Sequence, residues 1–433
     1  MGLLDPGEES ERNGYRHSRL ALRSRGRPMK LGDPWAFIGR PLAAALLLGA
    51  LCPLAGCSSK QAAQARAVYV SFPVANAVER ISVADGQTLS RTVVGALPHV
   101  MVLSHDGTKL YVALTGSQAI AVLETKSGKL LRTILTEPVP RTRYDGSVIE
   151  AHVRENAFSA TTCFACHNGK AGAAEPTVVG NRPFGLSLSP DGKTLLVTNI
   201  NGGSLSVIDL VHHKLKRVVP LARAGAAWQP TAIARMADTV YLTVLPVLPS
   251  SKPAVVRRLD AASLKPRPEP DTQVGSEAYF LLPDPARNSI YLSNFETNTV
   301  TRLSPDGELL GKYIVGTGPR GLLMLPDGKQ VVVADYYSNS PHRLSVIDLD
   351  SDKVAIVPLV LGKQTFANPT RLAVDPAGRF MFLLSGATNG FLLKLDTKTW
   401  KLATAFPVSG LPFDVVAVPP AISNVHTHQE GSP

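Results

Sequence analysis

A short turn unit recurs along the chain about every 40–50 residues, and this recurrence restricts the fold more than any other feature. In each copy, a Pro or Ser stands seven residues ahead of a second position that lies in a turn. The copies start at Pro98, Pro183, Pro230, Ser276, Pro319, Pro369 and Pro412. An acidic residue follows in the turn at Asp106, Asp191, Asp238, Asp284 and Asp327. The spacing predicts seven equivalent strands, one for each copy.

The copy that starts at Pro183 shows the complete unit. Its Ser-Pro-Asp-Gly sequence (189–192) is typical of a tight turn, with Pro at the second position and Gly at the fourth. Short apolar runs separated by turn residues predict antiparallel strands. The predicted strands are Phe184–Leu188, Leu195–Asn199, Leu205–Leu210 and Lys214–Leu221.

Repeated four-stranded sheets predict an all-β fold, a β-propeller whose blades surround an axis. Seven copies predict seven blades. The last inner strand, Leu411–Val418, has no strands after it, and the first strands, Val68–Ser71 and Ala77–Val83, have no inner strand before them. We therefore expect the two ends of residues 67–420 to complete one shared blade, which closes the ring without a free edge. Residues 421–433 are expected to form a tail.

Two four-residue segments carry a family resemblance. Leu-Val-Thr-Asn (196–199) followed by Ser-Val-Ile-Asp (206–209) resembles the YVTN-repeat, lactonase-like family of bacterial seven-bladed propellers, found mostly outside the cytoplasm. The resemblance covers residues 67–420 and implies the fold. Because this family includes binding proteins, lactonase-like enzymes and supports for redox centres, function must be argued from individual residues.

The N-terminal 56 residues resemble an export leader. Residues 41–56 are apolar and follow basic residues, but the run is too short for a permanent membrane span. Leu-Ala-Gly-Cys (54–57) resembles the bacterial lipobox, which implies a lipidated Cys57, and Ser58 favours the outer membrane. We expect a leader at 1–56, with Met29 as an alternative start, and a tether at 57–66. An ordinary signal peptide is the alternative interpretation.

The repeat is interrupted once, at residues 138–177. This insertion contains Cys163-Phe-Ala-Cys166-His167, the attachment motif of c-type haem. Two thiols at this spacing add to the porphyrin vinyl groups, and the adjacent His ligates iron. A short helix is predicted before the motif, and Phe158 is predicted to pack on the porphyrin. The arrangement resembles the haem site of class I cytochromes c, in a shorter segment, and predicts one covalent haem c per chain.

Other interpretations of the motif are a Cys163–Cys166 disulfide and a zinc site, although no fourth zinc ligand is evident. The distal iron ligand is also open. The insertion contains no Met, and Met101, Met236, Met324 and Met381 fall in predicted strands or beside a turn. His152 is the candidate within the insertion. His99, His342 and an open or water-bound position are the alternatives.

The topology predicts which residues lie at the mouth of the central channel. The insertion joins an outer strand to the next inner strand, so it should leave on the face where inner strands start. The residues following each unit's first position should lie near that face: His99, Phe184, Thr231, Glu277, Arg320, Thr370 and Phe413. Of these, His99, Glu277 and Arg320 are candidates for ligand binding or proton transfer, although Phe184 and Phe413 could simply pack between blades. His342, Tyr336 and Tyr337 are predicted on a loop of the same face.

These features predict a lipid-anchored periplasmic cytochrome that exchanges electrons with a redox partner protein. An oxidoreductase whose small-molecule substrate binds at the channel mouth is the first alternative. A non-redox binding or adhesion propeller and a metal-dependent lactonase-like hydrolase are further alternatives. The net charge is +11, but no dense Lys/Arg cluster with interleaved aromatics indicates nucleic-acid binding.

Overall fold

The computed structural model describes residues 66–137, 182–221, 228–246, 253–275, 277–338, 342–386 and 390–419. These residues form a seven-bladed β-propeller, because their strands pair into seven four-stranded antiparallel sheets. The predicted fold class is confirmed. Apart from strands, these ranges contain one short 3₁₀ turn, Pro285–Arg287, and no helix long and apolar enough to cross a bilayer.

The strands are numbered in chain order. The first three are β1 (Ala67–Phe72), β2 (Ala77–Ser82) and β3 (Thr88–Val93). Blade 2 contains β4 (Pro98–Leu103), β5 (Lys109–Leu114), β6 (Ala119–Glu124) and β7 (Leu130–Leu135). Blade 3 contains β8 (Pro183–Leu188), β9 (Thr194–Asn199), β10 (Ser204–Asp209) and β11 (Lys214–Pro220). Blade 4 contains β12 (Trp228–Met236), β13 (Thr239–Pro246), β14 (Val255–Asp260) and β15 (Thr272–Gln273).

The remaining blades follow the same order. Blade 5 contains β16 (Ala278–Asp284), β17 (Ser289–Asn294), β18 (Thr299–Leu303) and β19 (Leu309–Ile314). Blade 6 contains β20 (Pro319–Met324), β21 (Gln330–Asp335), β22 (Arg343–Asp348) and β23 (Lys353–Pro358). A two-stranded hairpin, β24 (Val360–Leu361) and β25 (Gln364–Thr365), comes next. Blade 7 contains β26 (Leu372–Val374), β27 (Phe380–Ser385), β28 (Gly390–Asp396) and β29 (Lys401–Val408), and the last strand is β30 (Asp414–Val418).

Blade 1 closes the ring with strands from both ends of the chain. Its strand order is β3-β2-β1-β30, and β30 pairs antiparallel with β1, with Ser71 opposite Asp414 and Ala67 opposite Val418. Each inner strand also contacts the inner strand of the next blade, around to β30 and β4. The predicted shared blade is therefore confirmed.

Burial explains why the strands differ in sequence. The second strand of a blade, such as β5 with sequence KLYVAL, is buried on both faces because neighbouring blades cover it, whereas the outer strand β7 is largely exposed. Seven hydrophobic clusters fill the junctions, and each cluster is shared by two neighbouring blades. The hydrophobic core is thus a ring of interfaces between blades.

The turn between β8 and β9 of blade 3 has the predicted form. Gly192 donates its N–H to the Ser189 carbonyl at 2.9 Å, and the Asp191 carboxylate accepts from the Ser189 hydroxyl at 2.5 Å. Gly192 adopts a φ of 67°, a conformation that favours glycine. The equivalent Gly107 and Gly328 both have a φ of 68°, so the recurring turn sequence produces the same local structure in three blades.

A β-bulge lies at the start of the inner strands of blades 2 to 6. In blade 3, Pro183 pairs with Asn199 and Leu186 pairs with Val197, so the inner strand has one residue more than its partner. Gly185 lies in this bulge, where an added Cβ would be 2.3 Å from the Thr231 carbonyl oxygen of blade 4. Because backbone cannot move aside easily, only glycine fits this approach between blades.

The Thr of the Leu-Val-Thr-Asn segment connects this bulge to the next blade. The Thr198 hydroxyl accepts the Gly185 N–H at 2.7 Å and donates to the Thr231 carbonyl at 2.7 Å. Ser71 makes the same connection in blade 1, accepting from the Asp414 N–H at 3.1 Å and donating to the His99 carbonyl at 2.8 Å. The hydroxyl therefore satisfies two buried backbone groups that lie in different blades.

The register of blade 5 differs from the prediction. Ala278 pairs with Asn294, just as Pro183 pairs with Asn199, so β16 starts two residues after the predicted Ser276. Tyr279, and not Glu277, is therefore the equivalent of Phe184. Glu277 immediately precedes the strand with a φ of 55°, as Arg182 does with a φ of 51°. The seven-residue spacing from Ser276 was misleading because blade 5 lacks the opening Pro.

The predicted leader (1–56), most of the tether (57–66), the insertion (138–177) and the tail (421–433) lie outside the described residues. Met101, Met236 and Met381 are buried in strands, and Met324 packs against a cluster from β20. The prediction that these Met residues belong to strands is confirmed for Met101, Met324 and Met381, and Met236 ends β12 before a turn.

We predict that Thr198→Val destabilises the propeller by about 2 kcal/mol, because valine keeps the shape but leaves two buried backbone groups without a partner. The measurement is the free energy of unfolding from urea titration. Thr108→Val is the control, since the Thr108 hydroxyl bonds only within its own exposed turn. Equal effects of the two substitutions would contradict the assigned role of Thr198.

Candidate functional site at the propeller axis

The insertion leaves and rejoins the propeller on the face where the inner strands start. Leu135, at the end of β7, pairs with Ala119 at the start of β6. A short loop joins Ala119 to Leu114 at the end of β5, and Leu114 pairs with Pro98 at the start of the inner strand β4. The chain is described again from Arg182, directly before β8. Both attachment points therefore lie at the same end of the strands, as the sequence predicted. We call this end the axial face.

Side chains from the axial face meet across the axis. The Phe184 ring of blade 3 lies 6.1 Å from the Phe413 ring of blade 1. The Arg320 guanidinium of blade 6 lies 6.0 Å from the same Phe413 ring, and the Arg371 guanidinium of blade 7 lies 3.9 Å from the Phe280 ring of blade 5. Because another blade separates the members of each pair, these groups can only meet near the axis.

His99 is buried within this group of rings. Its ring lies 4.4 Å from Phe413 and 5.9 Å from Phe184, and only 5% of the residue is exposed. Nδ1 donates to the Leu97 carbonyl at 2.8 Å. Burial, reinforced by the charges of nearby arginines, lowers the pKa of His99 to about 4. The imidazole is therefore neutral at neutral pH, which is the form that binds metals.

Arg320 presents its guanidinium between two aromatic rings. The guanidinium carbon lies 4.9 Å from the Tyr336 ring centre and 6.0 Å from that of Phe413. The residue is half-buried. Within the described ranges its guanidinium forms no ion pair and donates no hydrogen bond. Stacking fixes the position of the group and leaves its N–H donors available to a ligand.

Glu277 and Tyr279 lie close to Arg320. The Tyr279 hydroxyl and the Glu277 carboxylate each influence the pKa of the other, as does the charge of Arg320. Burial and the charge of Glu296 raise the pKa of Glu277, while Tyr279 and Arg320 oppose that rise. Burial also raises the pKa of Tyr279. Glu277 therefore accepts a proton more readily than an ordinary glutamate, as a group that transfers protons would require.

Arg371 and Asp414 form a buried ion pair at the closing blade. Arg371 Nε lies 3.5 Å from Asp414 Oδ1, and Asp414 also accepts the N–H groups of Met101 at 2.7 Å and Val415 at 3.0 Å. Burial lowers the pKa of Arg371 to about 10 and raises that of Asp414. The pair joins blades 7, 1 and 2, so it holds the ends of the ring together.

A wall of aromatic rings continues from Arg320 towards blade 5. Tyr336 and Tyr337 are 4.8 Å apart, Phe295 lies 5.4 Å from Tyr337, and Tyr279 lies 5.9 Å from Phe295. Tyr337 is 45% exposed. Tyr336 and Tyr337 lie on the predicted loop after β21. Sequence analysis missed Phe295, which occupies the corresponding loop position in blade 5 directly after Asn294.

The structure brings His99 and Arg320 into one cluster and places Glu277 beside it. It does not bring His342 there. The His342 carbonyl accepts from Leu359, its Nδ1 is buried without a partner among the described residues, and no ring contact joins it to the cluster. Thr231 is buried against Thr243, with 2.8 Å between the hydroxyls. Arg371 and Phe280 were also missed, because they occupy the second position of the bulge rather than the first.

The predicted haem residues Cys163, Cys166, His167, Phe158 and His152 lie outside the described residues, as does the lipidation candidate Cys57. Within the described ranges, no three His, Cys, Asp or Glu side chains converge into a potential metal site. The described axial face thus combines a stacked guanidinium, a neutral imidazole and a carboxyl group of raised pKa. This combination is suited to binding an anion and moving a proton.

Comparison with known proteins supports the fold. No protein-family model and no curated protein sequence matches the chain. Among solved structures, the dihydro-haem d1 dehydrogenase NirN matches with a TM-score of 0.52 and 14% identity, over 84% of this chain and 78% of NirN. Hydrazine synthase of Kuenenia stuttgartiensis matches with a TM-score of 0.54 and 15% identity, over 83% of this chain and 99% of the hydrazine synthase chain.

The periplasmic gluconolactonase PpgL of Pseudomonas aeruginosa is also similar. It matches with a TM-score of 0.55 and 17% identity, over 82% of this chain and 99% of PpgL. These identities are low, so the likeness establishes a seven-bladed propeller with lactonase-like neighbours in structure and leaves the chemistry to the residues.

Asp335 on the axial face departs from its counterparts in other blades. Asn199 and Asn294 occupy the same strand position and donate to nearby hydroxyls, for example from Asn294 Nδ2 to Thr301 at 2.8 Å. Asp335 instead accepts from the Ser345 hydroxyl at 2.7 Å, and its Oδ1 has no partner in the described residues. Burial raises the pKa of Asp335 to about 7 from an ordinary 3.8.

We predict that Asp335 makes the protein more stable as the pH falls from about 8 to about 5. A carboxyl group whose pKa is raised by folding contributes stability below its unfolded pKa and loses it as the pH rises through the folded value. Between these pH values the wild type should gain about 2 kcal/mol relative to Asp335→Asn. The measurement is the free energy of unfolding of both proteins at each pH.

Asn294→Asp is the matched variant, because it places a carboxyl group at the equivalent position in blade 5. It should gain a similar pH dependence. Parallel stability profiles for wild type and Asp335→Asn would show that Asp335 is charged throughout this range.

Proposed function

We propose that the chain is an exported, lipid-anchored propeller that carries one covalent haem c and transfers electrons in the periplasm. The observation that carries the proposal is the Cys163-Phe-Ala-Cys166-His167 motif, which falls between Leu135 and Pro183, two residues that both lie on the axial face. When bound, the haem would supply one-electron transfer. A redox partner protein would exchange electrons with it.

The donor set of this segment fits a c-type haem. Cys163 and Cys166 would form the thioether links, His167 would be one axial ligand, and Phe158 would contact the porphyrin. His152 is our candidate for the second axial ligand. Among the described residues His99 is the alternative, because burial keeps its imidazole in the neutral form that binds metals.

The axial face would provide the protein side of this centre. Its rings, among them Phe413 and Tyr337, offer apolar surface at the end of the propeller where the haem segment is attached. Apolar surroundings and restricted water access influence the potential of an iron centre. A dihydro-haem d1 dehydrogenase shares the fold, so a propeller of this kind is compatible with porphyrin chemistry.

A second candidate function is a propeller oxidoreductase with its substrate at the channel mouth. It is favoured by Glu277, whose pKa burial raises, lying beside the available guanidinium of Arg320. Glu277 would take a proton from the substrate, while Arg320 would hold an anionic group. Substrate-dependent reduction of the haem would separate this enzyme from a simple electron carrier.

We predict that the wild type, made in a host that attaches haem, stains for haem on a denaturing gel and gives a pyridine haemochrome spectrum for one haem per chain. Cys163→Ala with Cys166→Ala should abolish both signals, because no thioether can form. The propeller should still fold, since its described core does not use these residues. Ser127→Ala serves as a surface control. A colourless wild type from such a host would contradict the proposal.

We predict that Cys57 is the anchor. Cys57→Ser should move the protein from the membrane fraction to the soluble fraction or leave the unprocessed precursor, because a serine at this position cannot receive the thioether-linked lipid that anchors the chain. Ser58→Ala is the matched control and should remain anchored. Cell fractionation with N-terminal sequencing measures both. A soluble wild type that begins at a residue other than 57 would show that this leader is an ordinary signal peptide.

A further inference from the structure

We infer that the axial face contains a binding site for a small planar carboxylate, with Arg320 as its anchor. The site consists of Arg320, the flanking rings of Tyr336 and Phe413, and the hydroxyl of Thr370. It does not require haem, so it stands independently of the electron-transfer proposal. If the second candidate function, the propeller oxidoreductase, also holds, the site specifies the class of its substrate.

Arg320 differs from two other arginines that stack on aromatic rings. Arg371 stacks on Phe280 but is neutralised by Asp414, and Arg302 stacks on Tyr291 but donates to the Ser289 hydroxyl at 3.0 Å. Arg320 is stacked and half-buried, and the described residues give its guanidinium no acceptor. A stacked guanidinium that no described carboxylate neutralises can pair with an anionic ligand.

Thr370 gives a second, independent observation. Leu372 pairs with Leu383 as Leu322 pairs with Val333, so Thr370 occupies in blade 7 the position that Arg320 occupies in blade 6. Its hydroxyl is buried and has no hydrogen-bond partner in the described residues. Blade 7 lies between Arg320 and Phe413 in the ring. A bound carboxylate would use both the Arg320 fork and this hydroxyl.

The surroundings select a planar, anionic molecule. The guanidinium fork matches a carboxylate in a bidentate arrangement, and the rings of Phe413 and Tyr336 lie beside it. The positive charges of Arg182 and Arg320 both lower the pKa of His99, so positive charge acts on this face in addition to the Arg371–Asp414 pair. The Glu277 carboxylate offsets this positive charge only in part, because it forms no ion pair with Arg320 among the described contacts.

The test is calorimetric titration of the full chain with benzoate. Wild type should bind benzoate and should bind neutral benzamide and non-planar cyclohexanecarboxylate more weakly. Arg320→Gln should weaken benzoate binding by about 10- to 100-fold, and Arg320→Lys should recover part of it, because charge returns without the fork. Arg379→Gln is the matched control, since Arg379 stacks on Phe380 at 5.0 Å at the opposite end of the strands. It should bind benzoate like the wild type.

Absence of benzoate binding to the wild type would overturn the inference, as would equal affinities for wild type and Arg320→Gln. Tighter binding of inorganic phosphate than of benzoate would reject the planar carboxylate class. If Arg320→Gln does not fold, judged by circular dichroism, Thr370→Val takes its place and should weaken binding by about 3- to 10-fold. Cys163→Ala with Cys166→Ala should still bind benzoate, which separates this site from the haem.

Discussion

The junctions that follow blades 1, 3 and 5 depend on a hydroxyl group in the second strand of the blade. Thr198 and Ser71 each accept a hydrogen bond from the inner strand of their own blade and donate one to the inner strand of the next. The Ser293 hydroxyl of blade 5 donates to the Arg320 carbonyl of the next blade. A bulge frees backbone groups that water cannot reach, and these hydroxyls satisfy them. In blade 3 the Thr198 hydroxyl therefore satisfies the bulge and also bonds to the neighbouring blade.

The bulge in turn determines which chemistry the axial face presents. An extra residue at the start of an inner strand places two consecutive positions near the axis. Arg320 occupies the first of these positions in blade 6. Arg371 and Asp414 occupy the second position and neutralise each other. His99, Tyr279 and Arg320 occupy the first position and pack against aromatic rings. The ion pair that closes the ring and the polar groups of the candidate site therefore lie at adjacent positions of the inner strands.

Sequence reasoning predicted the ring because its signals are local. Pro183, the 189–192 turn and the Leu-Val-Thr-Asn segment each specify structure over a few residues, and their repetition specifies the closure at β30. It failed in blade 5, where Ser276 stands in place of the opening proline and the inner strand begins at Ala278. It also missed Arg371 and Phe280, because a contact between blades two apart depends on the curvature of the whole ring. It missed Phe295 because that contact depends on how the loops of blades 5 and 6 pack. His342 illustrates the converse: a residue on the correct loop that does not reach the cluster.

The contacts across the axis link the closure of the ring to the packing at its centre. The Arg371 guanidinium of blade 7 lies 3.9 Å from the Phe280 ring of blade 5, one residue further along the inner strands than the position of Arg320. The same guanidinium pairs with Asp414 on the closing strand β30. A change that separates β30 from its neighbours would therefore also release the contact across the axis, so the joining of the chain ends and the order at the centre of the propeller depend on one side chain.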